Sequence, residues 1–141
     1  MLKTVSWAVV ALVAVLTLLL SLVSFGTAYT EGPDEFGIGG PKLSDVASWN
    51  PDVATAIRAR RATASAYATA WSLLLLFVTL VPYRRGERWA WWAILAATVV
   101  PLALTLLRVP MLGTNLGVGT ALTQAGVVVV GLLLDVRRLR G

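Results

Sequence analysis

The side chains that could do chemistry in this chain are arginines, tryptophans, tyrosines, hydroxyls and a few carboxylates and amides, because cysteine and histidine are both absent. Without thiolates and imidazoles, the chain can form no disulfide, no Ser-His-Asp triad, and no metal or haem site with Cys or His ligands. We therefore predict no catalytic residue, no metal site and no cofactor.

The densest group of such side chains is a basic and aromatic segment, which we call the belt. Its members are Tyr83, Arg84, Arg85, Arg88, Trp89 and Trp92. Tryptophan and tyrosine favour the depth of lipid headgroups, and arginines there attract anionic lipids. Trp89 and Trp92 are three residues apart and share a helix face, whereas Trp91 points elsewhere and can pack inward. The segment therefore predicts an interfacial anchor that contacts lipid headgroups.

A second, sparser polar group follows later in the chain and consists of Arg108, Asn115 and Gln124. Polar groups inside a membrane usually turn inward and find a partner. One interpretation is that Gln124 hydrogen-bonds a neighbouring helix. The alternative is a ligand pocket beneath an outer loop, in which Arg108 contacts an anion.

The composition places these side chains in an apolar scaffold. The chain has 141 residues, of which 57% are hydrophobic and only 13% charged, whereas soluble domains are about 25% charged. Four charge-free runs, at 5–30, 62–83, 89–107 and 109–134, approach or exceed the ~20 residues that cross a bilayer. Backbone groups in lipid must be satisfied internally, so these runs predict helices.

We therefore predict an all-α, integral membrane, four-helix up-down bundle with an extracytoplasmic cap of loop and short helix. The chain forms a single membrane domain, with helices at about 5–28, 51–82, 88–108 and 117–135. The second helix enters the membrane at about residue 62, and the outer segment covers 29–61.

The first run has an alternative interpretation as a cleaved secretory signal. Lys3 precedes it, and the small residues Gly26, Thr27 and Ala28 follow its apolar part. However, the apolar core extends over about residues 5–23 and exceeds the 7–15 residues of a usual signal core. We favour a retained first helix.

The outer segment contains a helix start at Asn50, Pro51 and Asp52, which suit the N-cap and the first turn. A short helix at 43–49 would place Trp49 as an interfacial anchor. The same segment balances its charges, so we expect its arginines to pair with its acids and fold it back as a cap. The arginines are Arg58, Arg60 and Arg61, and the acids are Glu31, Asp34, Glu35, Asp45 and Asp52.

The connection between the second and third helices is predicted to be a tight turn. Pro82 should end one helix, Gly86 should permit the turn, and Glu87 should open the next helix. The stretch YRRGERWAW at 83–91 resembles the hairpin of small, uncharacterised four-helix membrane proteins of bacteria and archaea. The resemblance covers about residues 45–110 and includes the Asn50-Pro51-Asp52 helix start. That group has no assigned activity, so the resemblance implies the four-helix architecture and no catalytic residue.

The distribution of charge predicts orientation. The formal net charge of +5 falls on the face that carries both termini and the turn at 84–88, and Lys and Arg near span ends mark the cytoplasmic side. We expect a multi-pass protein of the cell membrane with both termini in the cytoplasm.

The predicted function is that of a non-enzymatic structural, accessory or lipid-interacting membrane protein. Anionic membrane lipids are the expected partners, and a homo-oligomer or another membrane partner is left open. Nucleic acid is not expected, because the basic residues lie at the bilayer plane. The alternative is a membrane-embedded ligand-binding protein, transporter or enzyme with its site near Arg108 and Gln124.

Overall fold

The computed structural model describes residues 2–30, 43–115 and 117–140, which are helical except for short connections. The longer helices are α1 (Leu2–Tyr29), α3 (Pro51–Val78), α4 (Arg88–Leu106) and α6 (Val118–Leu133). The shorter elements are α2 (Leu43–Trp49), a π-helical turn (Thr79–Tyr83), α5 (Arg108–Leu112) and a 3₁₀ turn (Val136–Arg140). No strand occurs among these residues, which agrees with the predicted all-α class.

Among the described residues, three helical segments are long and apolar enough to cross a membrane. They are Thr4–Tyr29, Pro51–Tyr83 and Arg88–Leu112, with 26, 33 and 25 residues. The fourth predicted span is shorter than expected: α6 has 16 residues, or about 24 Å at 1.5 Å per residue. The helix begins one residue after the predicted start, because Gly117 takes a left-handed conformation with φ of 75° as its N-cap, and it ends two residues before the predicted end.

The start of α3 agrees with its capping sequence. The Asn50 Oδ1 atom accepts hydrogen bonds from the backbone N–H groups of Asp52 at 3.0 Å and Val53 at 3.4 Å. The short helix α2 precedes it and ends at Trp49, which is 75% exposed. The acids Glu31, Asp34 and Glu35 lie outside the described residues, so most of the predicted ion pairs of the cap do too.

The end of α3 differs from its prediction. Pro82 does not stop the helix, because the chain continues through the π-helical turn with Pro82 inside it. The Arg84 N–H donates to the Thr79 carbonyl, five residues back, as a π turn requires. Proline contributes no N–H, and the wider turn accommodates it without ending the helical path.

The chain divides into two compact units. Unit 1 comprises residues 1–16 and 72–141, and unit 2 comprises residues 17–71. In unit 1, α4 packs against α6, and the buried side chains include Val10, Ile94, Val128 and Leu132. In unit 2, the second half of α1 runs beside the first part of α3, and the buried side chains there are small or polar.

Candidate functional site

The belt is built on the turn between the π-helical turn and α4. Gly86 has φ of 96°, a conformation that residues with a Cβ seldom adopt. Its N–H donates to the Tyr83 carbonyl and the Glu87 N–H donates to the Pro82 carbonyl, each at 3.1 Å. Glu87 is extended and serves as the N-cap of α4. The turn therefore sets Arg84 and Arg85 only a few residues before the first turn of α4.

The tryptophans of this turn divide by helix face, as the sequence predicts. Trp89 and Trp92 are 55% and 57% exposed, whereas Trp91 is 6% exposed. The Trp91 indole Nε1 donates to the Leu132 carbonyl at 3.1 Å, which anchors the start of α4 on the end of α6. Two large aromatic side chains are thus left on the outer face of α4.

The three belt arginines are exposed, but they do not have the same surroundings. The Arg84 Cζ atom lies 5.2 Å from the centroid of the Trp7 ring, within the range of a cation–π interaction. Arg85 and Arg88 are exposed on either side of Gly86. The Glu87 carboxylate accepts a hydrogen bond from the Trp89 indole N–H. Trp7 was not among the predicted belt residues, although its place near the start of α1 was a usable signal.

Tyr83 is the belt member whose predicted position is wrong. It was expected to face lipid headgroups, but its side chain is completely buried, with 0% exposure. Its hydroxyl lies 2.5 Å from the Ser6 hydroxyl, and Ser6 donates to the Gly131 carbonyl at 2.7 Å. Since the Ser6 proton is directed at Gly131, Tyr83 is the donor of the pair. Tyr83 therefore belongs to the interior of unit 1.

We call this arrangement the Ser6 junction; it consists of Ser6, Tyr83, Trp91 and the carbonyls of Gly131 and Leu132. Ser6 is also completely buried. A Cβ atom at Gly131 would stand 3.2 Å from a methyl group of Val9 and 3.3 Å from one of Val10. Glycine thus permits the close approach of α1 and α6 that brings the Ser6 hydroxyl within reach of the Gly131 carbonyl.

The second predicted group occupies three different elements. Arg108 is exposed at the start of α5, Asn115 is exposed in the turn before α6, and Gln124 is half-buried within α6. Asn115 accepts a hydrogen bond from the Val118 N–H through its backbone carbonyl. Gln124 has an interaction partner of its own. A large groove exists elsewhere, on α1 and α3 within unit 2, and none of these three residues lines it.

Polar side chains also join α1 to α3 within unit 2. The Ser21 and Thr69 hydroxyls share a hydrogen bond at 2.9 Å, and the Ser65 hydroxyl donates to the Ser24 hydroxyl at 3.0 Å. Arg61 donates through Nε to Ser24 at 3.4 Å. The signal for this pairing was present in the sequence, because the hydroxyls recur at i, i+3 on α1 and at i, i+4 on α3, which places each pair on one helix face.

The chain matches no protein-family model, no curated protein and no solved structure. Within the described residues, no three carboxylates gather into a group that could hold a metal ion. The function must therefore be inferred from the geometry and the composition of the chain itself.

Proposed function

We propose that the chain is a multi-pass protein of the cell membrane that crosses the bilayer four times and has both termini in the cytoplasm. The Ser6 junction supports this proposal. It joins the start of α1, the region following α3, the start of α4 and the end of α6. Helix starts and helix ends thus lie together at the junction. Helices whose starts and ends meet at one end of the molecule have the connectivity of an up-down bundle.

The charge at that end supports the orientation. Arg84, Arg85, Arg88 and Arg137 follow or precede the helix ends that meet near the junction, and clustered Lys and Arg mark the cytoplasmic side of short loops. A reporter that requires the periplasm, fused after Arg140, should therefore be inactive, and a cytoplasmic reporter fused there should be active. Activity of the periplasmic reporter at this position would contradict the orientation.

We further propose that the chain is a non-enzymatic accessory membrane protein. Its belt binds anionic lipid headgroups and thereby holds the chain at a fixed depth in the membrane. One observation carries this proposal: Trp89 and Trp92 are exposed on the outer face of α4, beside the exposed Arg85 and Arg88. Such aromatic rings favour the membrane interface, and each nearby basic residue contributes about 1 kcal/mol of attraction to an anionic surface.

Arg85 and Arg88 are the best positions to test, because Arg84 also contacts Trp7. The protein is purified in neutral detergent and titrated with short-chain phosphatidylglycerol or phosphatidylcholine, and the bound lipid is counted by native mass spectrometry. The double substitution Arg85→Gln/Arg88→Gln should weaken phosphatidylglycerol binding by about 2 kcal/mol, or roughly 30-fold.

The matched control is Arg60→Gln/Arg108→Gln, which removes the same charge from exposed positions outside the belt. The control should bind phosphatidylglycerol nearly as the native chain does. Raising the salt concentration should remove most of the preference for phosphatidylglycerol over phosphatidylcholine, because the screening length falls from about 10 Å at 0.1 M to about 3 Å at 1 M. Equal losses in the two double variants would contradict a specific role of the belt.

A further inference from the structure

A groove with a volume of about 820 Å³ opens on unit 2. One face of α3 forms its floor with small side chains, among them Ala62, Ala66 and Ala70. Aromatic side chains flank it, with Phe25 and Tyr29 on α1 and Tyr67 on α3. The sequence marks the floor by small residues four apart, but only the packing of α1 beside α3 shows that the floor is open.

The groove has a charged residue near one end, and the rest of its described lining on α3 is mostly alanine, with Thr63 and Tyr67 as the residues that carry hydroxyls. Its lining on α3 begins with Thr55 and Arg58 and ends at Ala70. The fifteen steps from Thr55 to Ala70 span about 22 Å at 1.5 Å per residue. Half of a bilayer of 40–45 Å, headgroups included, measures about 20–22 Å. The length and polarity of the groove therefore match one leaflet.

Charge complementarity identifies the end that takes a headgroup. Among the described residues that line the groove, Arg58 is the single charged one, and it is half-buried. A guanidinium presents paired N–H donors that fit two phosphate oxygens. Thr55 and Tyr29 also line the groove, but the Thr55 hydroxyl donates to the Pro51 carbonyl at 2.9 Å, so Arg58 is the side chain that identifies the headgroup end.

The floor of the groove suits an acyl chain. The methyl groups of Ala62, Ala66 and Ala70 recur at one-turn spacing on α3 and give the groove an apolar surface on which an extended hydrocarbon chain can lie.

We propose that this groove holds one phospholipid, with its phosphate on Arg58 and its acyl chain over Ala62, Ala66 and Ala70. This site is distinct from the belt. It rests on the membrane location proposed above, but it needs neither belt binding nor the absence of catalysis. The chain thus holds one lipid molecule in the groove, in addition to the lipids that contact its outer surface.

The test fills the groove and separately removes its charge. Ala66→Leu places a larger side chain on the floor, and its matched control Ala64→Leu adds the same atoms at an exposed position of α3 outside the lining. Arg58→Gln removes the headgroup contact, and Arg60→Gln is its exposed control. All are made in the Arg85→Gln/Arg88→Gln background, so that lipid held by the belt does not contribute.

Native mass spectrometry of each protein, titrated with phosphatidylglycerol, should show one retained lipid in the background chain and in both controls. Ala66→Leu should lose it, and Arg58→Gln should bind it about fivefold more weakly. Ala70→Leu is the second filling variant if Ala66→Leu has an altered circular dichroism spectrum. Retention of the lipid by a folded filling variant would overturn the proposal. A change from dimer to monomer with no change in bound lipid would also overturn it and would assign the groove to a second copy of the chain.

Discussion

The two compact units satisfy their polar side chains in different ways. In unit 1, Ser6 and Trp91 donate to backbone carbonyls of α6, and Tyr83 donates to Ser6. In unit 2, the contacts that join α1 to α3 run between hydroxyls, as in Ser21 with Thr69, and both of these side chains also donate to carbonyls of their own helices. A hydroxyl can donate or accept and can turn to a new partner, whereas the carbonyls of α6 are fixed by the helix. The contacts between helices therefore reach fixed backbone carbonyls in unit 1 and rotatable hydroxyls in unit 2.

The two units should differ most in the loss of stability that follows when a tyrosine is truncated to alanine in each of them. Tyr83 is 0% exposed and Tyr67 is 75% exposed. Tyr83→Ala leaves a cavity and removes the donor to Ser6, so it should lower the free energy of unfolding by about 3 kcal/mol or more. Tyr67→Ala should change it by about 0.5 kcal/mol or less.

Both free energies can be measured by titration with sodium dodecyl sulfate in mixed micelles. Tyr83→Phe separates packing from hydrogen bonding, because it keeps the ring and removes the hydroxyl; its cost should be about 1–2 kcal/mol. Similar losses for Tyr83→Ala and Tyr67→Ala would mean that the interior of unit 1 is no more sensitive to truncation than the exposed face of unit 2.

A smaller effect is expected when a single hydroxyl is removed from each unit. Ser6→Ala removes a buried contact with Tyr83 and deprives the buried Gly131 carbonyl of a donor, so it should cost about 1–2 kcal/mol. Ser24→Ala removes a contact between α1 and α3, and such contacts in membrane proteins average about 0.6 kcal/mol. The same titration measures both. If Ser24→Ala lowered the free energy of unfolding as much as Ser6→Ala or more, the contrast between contacts to backbone carbonyls and contacts between hydroxyls would be contradicted.

Local signals in the sequence predicted the parts of the fold that depend on neighbouring residues. Asn50 caps α3 through its own side chain, Gly86 adopts the conformation that its turn needs, and Trp91 is buried whereas Trp89 and Trp92 are exposed. Each of these follows from helix geometry or backbone freedom within a few residues, so no tertiary contact was needed to find it.

The predictions from the sequence failed where one turn changed the register of a helix or where the outcome depended on how two helices pack. A regular α-helix that stopped at Pro82 would leave Tyr83 in the loop, but the π-helical turn adds a residue and rotates Tyr83 into the interior. The groove depends on the spacing between α1 and α3, which no single run of residues encodes. The fourth span was predicted too long, mainly at its end, because the absence of charge up to Leu134 does not show that the α-helix ends at Leu133.

The Ser6 junction has a consequence for the timing of biosynthesis. The Ser6 hydroxyl and the Gly131 carbonyl are separated by 125 positions in the chain. At a synthesis rate of about 5–20 residues per second, roughly 6–25 s pass between the addition of the two residues to the growing chain. During that interval the Ser6 hydroxyl of the nascent first helix lacks the Gly131 carbonyl as its acceptor. Completion of the last helix ends this interval.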